Sequence, residues 1–147
     1  MQPRSLTAIV EQDLRDKMVL FAGPRQCGKT SMAKELIKKL DGMYYSWDDA
    51  VDRKTLRTLT LNESAHLWAL DEIHKYRGWR NWLKGLYDKH GQQHPVFVTG
   101  SARLDLYHRG GDSLAGRYFL HHLHPFTLAV WMVIEIRRNL GRGRLAS

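Results

Sequence analysis

The stretch Gly23-Pro24-Arg25-Gln26-Cys27-Gly28-Lys29-Thr30-Ser31 decides how this chain is read. Its first eight residues fit G-x-x-x-x-G-K-[ST], the pattern of a loop that cradles phosphate. With glycine at about 7% of ordinary usage, a chance match arises on the order of once in several hundred chains of this length. Each position has a chemical reason. Glycines at 23 and 28 let the main chain turn and approach an anion closely, while main-chain N–H groups and the start of a helix converge on it. Lys29 supplies a mobile positive charge for the β and γ phosphates of a nucleotide, and the Thr30 hydroxyl suits Mg²⁺. Residues 23–31 together form the expected nucleotide-binding segment. Cys27 is read as a small residue filling a variable loop position rather than as a redox-sensitive thiol, although a helix N-terminus lowers thiol pKa.

The flanks of the loop carry the right context. Met18–Ala22 is a short continuous apolar run of the kind that forms a strand buried on both faces. Thr30–Leu40 is rich in strong helix formers and stops at Asp41-Gly42. Before them, Leu6, Ile9, Val10 and Leu14 recur at helical spacing. Beyond them, strands are expected over Tyr44–Trp47, Leu67–Leu70, Val96–Thr99 and Tyr118–Leu123, although His66–Leu70 also has a composition that fits a helix. Trp79, Trp82, Leu83, Leu86 and Tyr87 mark one helix face ending near His90-Gly91, read as core rather than as a platform for bases. Strands alternating with helices across short connections predict an α/β fold, a parallel sheet with helices on its faces.

A phosphate loop alone does not separate a GTPase, a kinase and an ATPase. Leu67-Trp68-Ala69-Leu70-Asp71-Glu72 is an apolar strand ending in two carboxylates. At that position Asp71 holds Mg²⁺ through its water shell, and Glu72 acts as the general base on the attacking water. The plainer alternative is a solvated acidic pair that ends a strand. Asp48-Asp49 follows the Tyr44–Trp47 strand, and Asp49 is read as a helix N-cap.

The net charge is +8, from 23 Lys and Arg against 15 Asp and Glu. Half of that excess is Arg137, Arg138, Arg142 and Arg144, in the last eleven residues, which contain no acidic side chain. A basic Gly/Arg terminus is read as a solvated end before a nucleic-acid surface. The single cysteine allows no intramolecular disulfide and points to the cytoplasm. The longest apolar stretch, Phe126–Ile136, includes Thr127 and Glu135 and falls well short of the roughly 20 residues of a membrane helix. His121, His122 and His124 are discounted as a metal cluster, because along a strand only 122 and 124 share a face.

GPRQCGKTS, WALDEIHK at Trp68–Lys75, WRNWLKGLYD at Trp79–Asp88, VTGS at Val98–Ser101, SLAGR at Ser113–Arg117 and LHPF at Leu123–Phe126 occur in that order. Together they resemble the N-terminal ATPase domain of the prokaryotic AAA-type P-loop ATPases of the DUF4143-associated group, over Leu6 to Ala129. The resemblance implies an ASCE/AAA-like three-layer sandwich with a mostly parallel five-stranded sheet, in which a sensor strand separates the loop strand from the Asp71 strand. It also implies ATP and Mg²⁺ as ligands, a homo-oligomer as an assembly, Ser101 as the polar sensor of the γ-phosphate, and Arg117 as a charge-stabilising finger in cis or toward a neighbouring subunit, with Arg103 as the competing choice. Residues 1–129 are then the ATPase core. Residues 130–147 depart from the pattern, so a truncated member without the helical lid and C-terminal domain is expected. The expected activity is Mg²⁺-dependent ATP hydrolysis, with Lys29, Glu72, Ser101 and Arg117 catalytic and Thr30 and Asp71 at the metal. The alternatives are a small P-loop kinase passing the γ-phosphate to a small acceptor, and a nucleic-acid-binding module acting through the basic tail.

Overall fold

The computed structural model describes residues 6–23, 29–101, 104, 114 and 116–122. In chain order these form α1 (Leu6–Leu14), β1 (Met18–Ala22), α2 (Lys29–Leu40), β2 (Met43–Ser46), α3 (Ala50–Thr58), β3 (Trp68–Asp71), a single 3₁₀ turn (Ile73–Lys75), α4 (Trp79–His90), β4 (Val96–Gly100) and β5 (Tyr118–His122). The strands lie in the order β2-β3-β4-β1-β5. All four pairings are parallel, where the resemblance implied a mostly parallel sheet. As expected, β4 separates β1 from β3.

Alternation along each strand sorts the apolar residues into two layers. Met18, Leu20, Ala22, Trp68, Leu70, Val96 and Val98 face one way and pack with Leu56 of α3 and Trp79, Leu83 and Leu86 of α4. Val19, Phe21, Ala69 and Phe97 face the other way and pack with Ile9, Val10 and Leu14 of α1 and Met32, Ala33 and Leu36 of α2. This is a helix–sheet–helix sandwich. Every residue of β1, β3 and β4 is buried, which is why these strands read as continuous apolar runs. Each large side chain so buried contributes about 1.5–3 kcal/mol, enough for the sheet to hold local strain at its edges.

The fold also differs in detail from the reading of the sequence. The third strand covers Trp68–Asp71, one residue later at both ends than Leu67–Leu70, and Asp71 closes it. Asp49 does cap a helix, its Oδ2 accepting the Asp52 main-chain N–H at 3.1 Å. That helix, α3, buries only Leu56.

Candidate nucleotide site

Register brings the functional side chains to one edge of the sheet. Ala22 pairs with Gly100, and Asp71 pairs with both Thr99 and Ser46, so the C-terminal ends of β1, β4, β3 and β2 lie side by side. Ligands of open parallel sheets bind at this edge. Lys29 opens α2 and is only 7% exposed. Its Nζ donates to Gly23 O at 2.7 Å and to Gly100 O at 2.6 Å, clamping the ends of β1 and β4 together. Both acceptors are neutral carbonyls. They satisfy two of three N–H donors, and among the described residues no carboxylate pairs with the ammonium, so the site fits an anion. Thr30 and Ser31 follow on the exposed side of the helix start. Pro24, Arg25, Gln26, Cys27 and Gly28 lie outside the described residues.

Asp71, 8% exposed, is held by two hydroxyls. Thr99 Oγ1 donates to Oδ1 at 2.6 Å, and the Tyr44 hydroxyl donates to Oδ2 in a short hydrogen bond. Odd-numbered positions on β3 and β4 share the face that carries α2, which places Asp71 and Thr99 on the side where Lys29 begins. Burial first, and the bond to Asp71 second, push the Tyr44 phenol well above its usual range, so it stays protonated and donating. Each carboxylate oxygen keeps a lone pair beyond these bonds. A buried carboxylate with hydroxyls around it is the hard-oxygen donor set that suits Mg²⁺.

Glu72 has φ 63° and ψ 22°, a left-handed conformation rare for a residue with a side chain. Its N–H donates to Thr99 O at 2.9 Å, which ties the strained residue to β4. Its Oε2 lies 3.4 Å from Lys75 Nζ and 3.7 Å from His74 Nε2. His74 Nε2 in turn shares a hydrogen bond with Ser101 Oγ at 3.2 Å. Lys75 donates to Asp48 Oδ1 at 2.8 Å, and that bond chiefly raises its pKa. Gly100 makes the close packing possible, since a Cβ there would stand 2.7 Å from His74 Nδ1 and 3.1 Å from Leu104 Cγ.

Lys29, Asp71, Glu72 and Ser101 therefore lie at one edge of the sheet. Arg117 does not join them. It precedes β5 at the N-terminal end of the sheet, where its carbonyl accepts from Met18 N–H, and its guanidinium grips Asp88 of α4 through Nε at 2.8 Å and Nη2 at 3.2 Å. At about 3.3 Å per residue, the length of β1 separates it from the phosphate edge, so a finger acting in cis does not follow. Arg103, His124 and residues 130–147 lie outside the described residues. His121 is buried against Asp13 at 2.8 Å, and His122 is exposed. Reading the sequence missed Tyr44, Thr99 and His74. The available signals were a hydroxyl-bearing residue on each strand flanking β3 and a histidine two positions after the acidic pair.

A family model described as AAA domain matches residues 15–131. The chain belongs to the AAA domain family. Two curated relatives, the uncharacterized proteins Mb2031c of Mycobacterium bovis and Rv2008c of Mycobacterium tuberculosis, are each 30% identical over 116 residues. The match takes in 78% of this chain and 26% of each relative, so this AAA domain spans about a quarter of their length. Among solved structures, the Thermotoga maritima RuvB Holliday junction branch migration motor matches with a TM-score of 0.51 and 21% identity, over 83% of this chain and 47% of that one. That likeness is one of fold and agrees with the P-loop arrangement of the five strands. No helix among the described residues is long and apolar enough to cross a membrane.

Proposed function

We propose that this AAA domain binds ATP with Mg²⁺ and hydrolyses it. One observation carries the reading: the buried Lys29 ammonium rests on two neutral carbonyls at the same sheet edge that holds the buried Asp71 carboxylate. The Lys29 N–H that the carbonyls leave over takes the β and γ phosphates. Thr30 and Asp71 hold Mg²⁺, which supplies charge neutralisation and orients the phosphates when bound. Glu72 accepts the proton of the attacking water, and the strained backbone fixes where its carboxylate starts. Ser101, braced by His74, reports on the γ-phosphate by hydrogen bonding. Arg117 keeps only the role of a finger offered to a neighbouring copy, in a homo-oligomer. Residues 1–129 form an ATPase core of the DUF4143-associated type, and a cytoplasmic setting fits both the ATP supply and the single cysteine.

Equilibrium ATP binding and steady-state turnover test the reading together. Lys29→Ala is expected to abolish binding, while Glu72→Gln keeps binding and loses turnover. Hydrolysis by Glu72→Gln at the parent rate overturns the base assignment. ADP release that depends on an added nucleoside or alcohol acceptor would select the kinase alternative. Steeply salt-dependent nucleic-acid binding indifferent to Lys29→Ala would select the basic-tail alternative.

A further inference from the structure

The opposite edge of the sheet gathers a second chemical cluster. Glu63, His90 and His94 each offer one donor atom, and the three atoms lie within 4.8 Å of one another. They come from two segments. His90 closes α4, and His94 follows one turn later, its N–H donating to His90 O at 2.9 Å, so the two imidazoles stand at the i, i+4 spacing that lets both reach one point. Glu63 sits in the connection from α3 to β3. That connection is anchored on both sides of Glu63: the Tyr45 hydroxyl accepts Asn62 N–H at 2.8 Å, Trp68 Nε1 donates to Asn62 O at 2.9 Å, and Ala65 O meets His94.

The tautomer of His94 is set by its partner. Nδ1 lies 2.9 Å from Ala65 O, and a carbonyl only accepts, so Nδ1 carries the proton. In the neutral ring Nε2 then holds its lone pair outward, as it does in histidines that ligate metals while their other nitrogen donates to a carbonyl. The ring cannot swing away easily. It is 8% exposed and stacks on Trp68 with centroids 4.3 Å apart and planes at 9°, while His90 meets the edge of the same indole at 5.3 Å.

We propose that Glu63, His90 and His94 form a site for a zinc-class divalent cation, with water completing the coordination, separate from the Mg²⁺ position at the phosphate edge. Two imidazoles and one carboxylate are a borderline donor set that suits Zn²⁺ rather than Mg²⁺. Ligands around a tetrahedral zinc stand about 3.4 Å apart, so closure needs a contraction of up to about 1.4 Å, to which rotation of the exposed Glu63 side chain contributes. A bound ion would staple the α3–β3 connection to the end of α4 and stabilise the fold by linkage.

The full chain, stripped with chelator and titrated with Co²⁺ and then Zn²⁺, tests this. One equivalent of Co²⁺ is expected to develop the visible absorption of a four- or five-coordinate site, to be displaced by Zn²⁺ and not by excess Mg²⁺, and to raise the melting temperature. Glu63→Gln and His90→Gln, neither of which opens the core, should each weaken binding about tenfold or more. Asp71→Asn should leave the spectrum intact. Absence of a saturable spectrum overturns the proposal and leaves the histidines as an aromatic stack on Trp68. So does binding that survives Glu63→Gln and His90→Gln together, or binding that Asp71→Asn removes.

Discussion

At the C-terminal ends of β1, β3 and β4 the buried charges rest on neutral partners, Lys29 on two carbonyls and Asp71 on two hydroxyls. At the N-terminal end of the same sheet Arg117 rests on Asp88, and Lys84 adds a second positive charge 3.7 Å from that carboxylate. Both edges are polar, and both belong to one sheet. They differ in what their charges have already found. A charge matched by an opposite charge stabilises the fold or does nothing measurable, whereas a buried charge satisfied only by dipoles is held ready for a counter-ion. The non-glycine left-handed residue beside Asp71, Glu72, lies at that same edge, where strain of about 1–3 kcal/mol is tolerated because the core over-determines it.

The comparison breaks most decisively at Glu72. Glu72→Gly frees the left-handed backbone from its Cβ and is expected to raise stability by about 1 kcal/mol in chemical denaturation. The same change removes the proposed base and should lower ATP turnover about 10²–10⁴-fold. Stability and activity moving in opposite directions is the signature of strain kept for function. If stability falls instead, the contacts of Glu72 with Lys75 and His74 outweigh the strain, and the edge is structural.

A pair of glycines sharpens the same contrast with a smaller effect. Gly100→Ala thrusts a methyl group to within 2.7 Å of His74 Nδ1 and should cost about 1–3 kcal/mol, displacing Ser101's partner as well. Gly85, inside α4, has open space where its Cβ would be, so Gly85→Ala should stabilise by about 0.5–1 kcal/mol. Thermal melts of both variants check the difference. Equal effects at the two positions would mean that the packing of His74 against Gly100 is looser than its geometry.

What the sequence disclosed follows from how local each signal is. β1 and β4 were legible because a strand buried on both faces is one uninterrupted apolar run. Lys29, Asp71 and Glu72 were legible because the loop and the acidic strand end are contiguous patterns. Tyr44 and Thr99 were not, since they meet Asp71 from 27 and 28 residues away, and only strand register sets those meetings. The pairing of Arg117 with Asp88 was not legible for the same reason, since that carboxylate lies 29 residues away. The Glu63, His90 and His94 cluster escaped because its donors are split between a loop and a helix end, while the three histidines that stand close in sequence drew notice first.

The smallest expected effect concerns Arg117 itself. Its hydrogen bond is the main cause that holds the Asp88 carboxyl below its ordinary 3.8, and the same bond raises the guanidinium. Because the folded-state value is depressed, the stabilisation is present above the unfolded value and fades as pH falls from 3.8 through the lower folded value. Arg117→Ala should therefore return Asp88 toward 3.8 in an NMR titration. The variant's slight loss of stability should appear at neutral pH and vanish in acid, small throughout because both groups face solvent. Turnover gives the other half of the test. An arginine at the far edge of the sheet cannot touch a phosphate held by its own Lys29, so dilute Arg117→Ala should match the parent. A deficit that grows with protein concentration marks a finger offered to a second copy, and a deficit equal at every dilution would require the two edges to be coupled within one chain, which the matched pair at Asp88 gives no means to do.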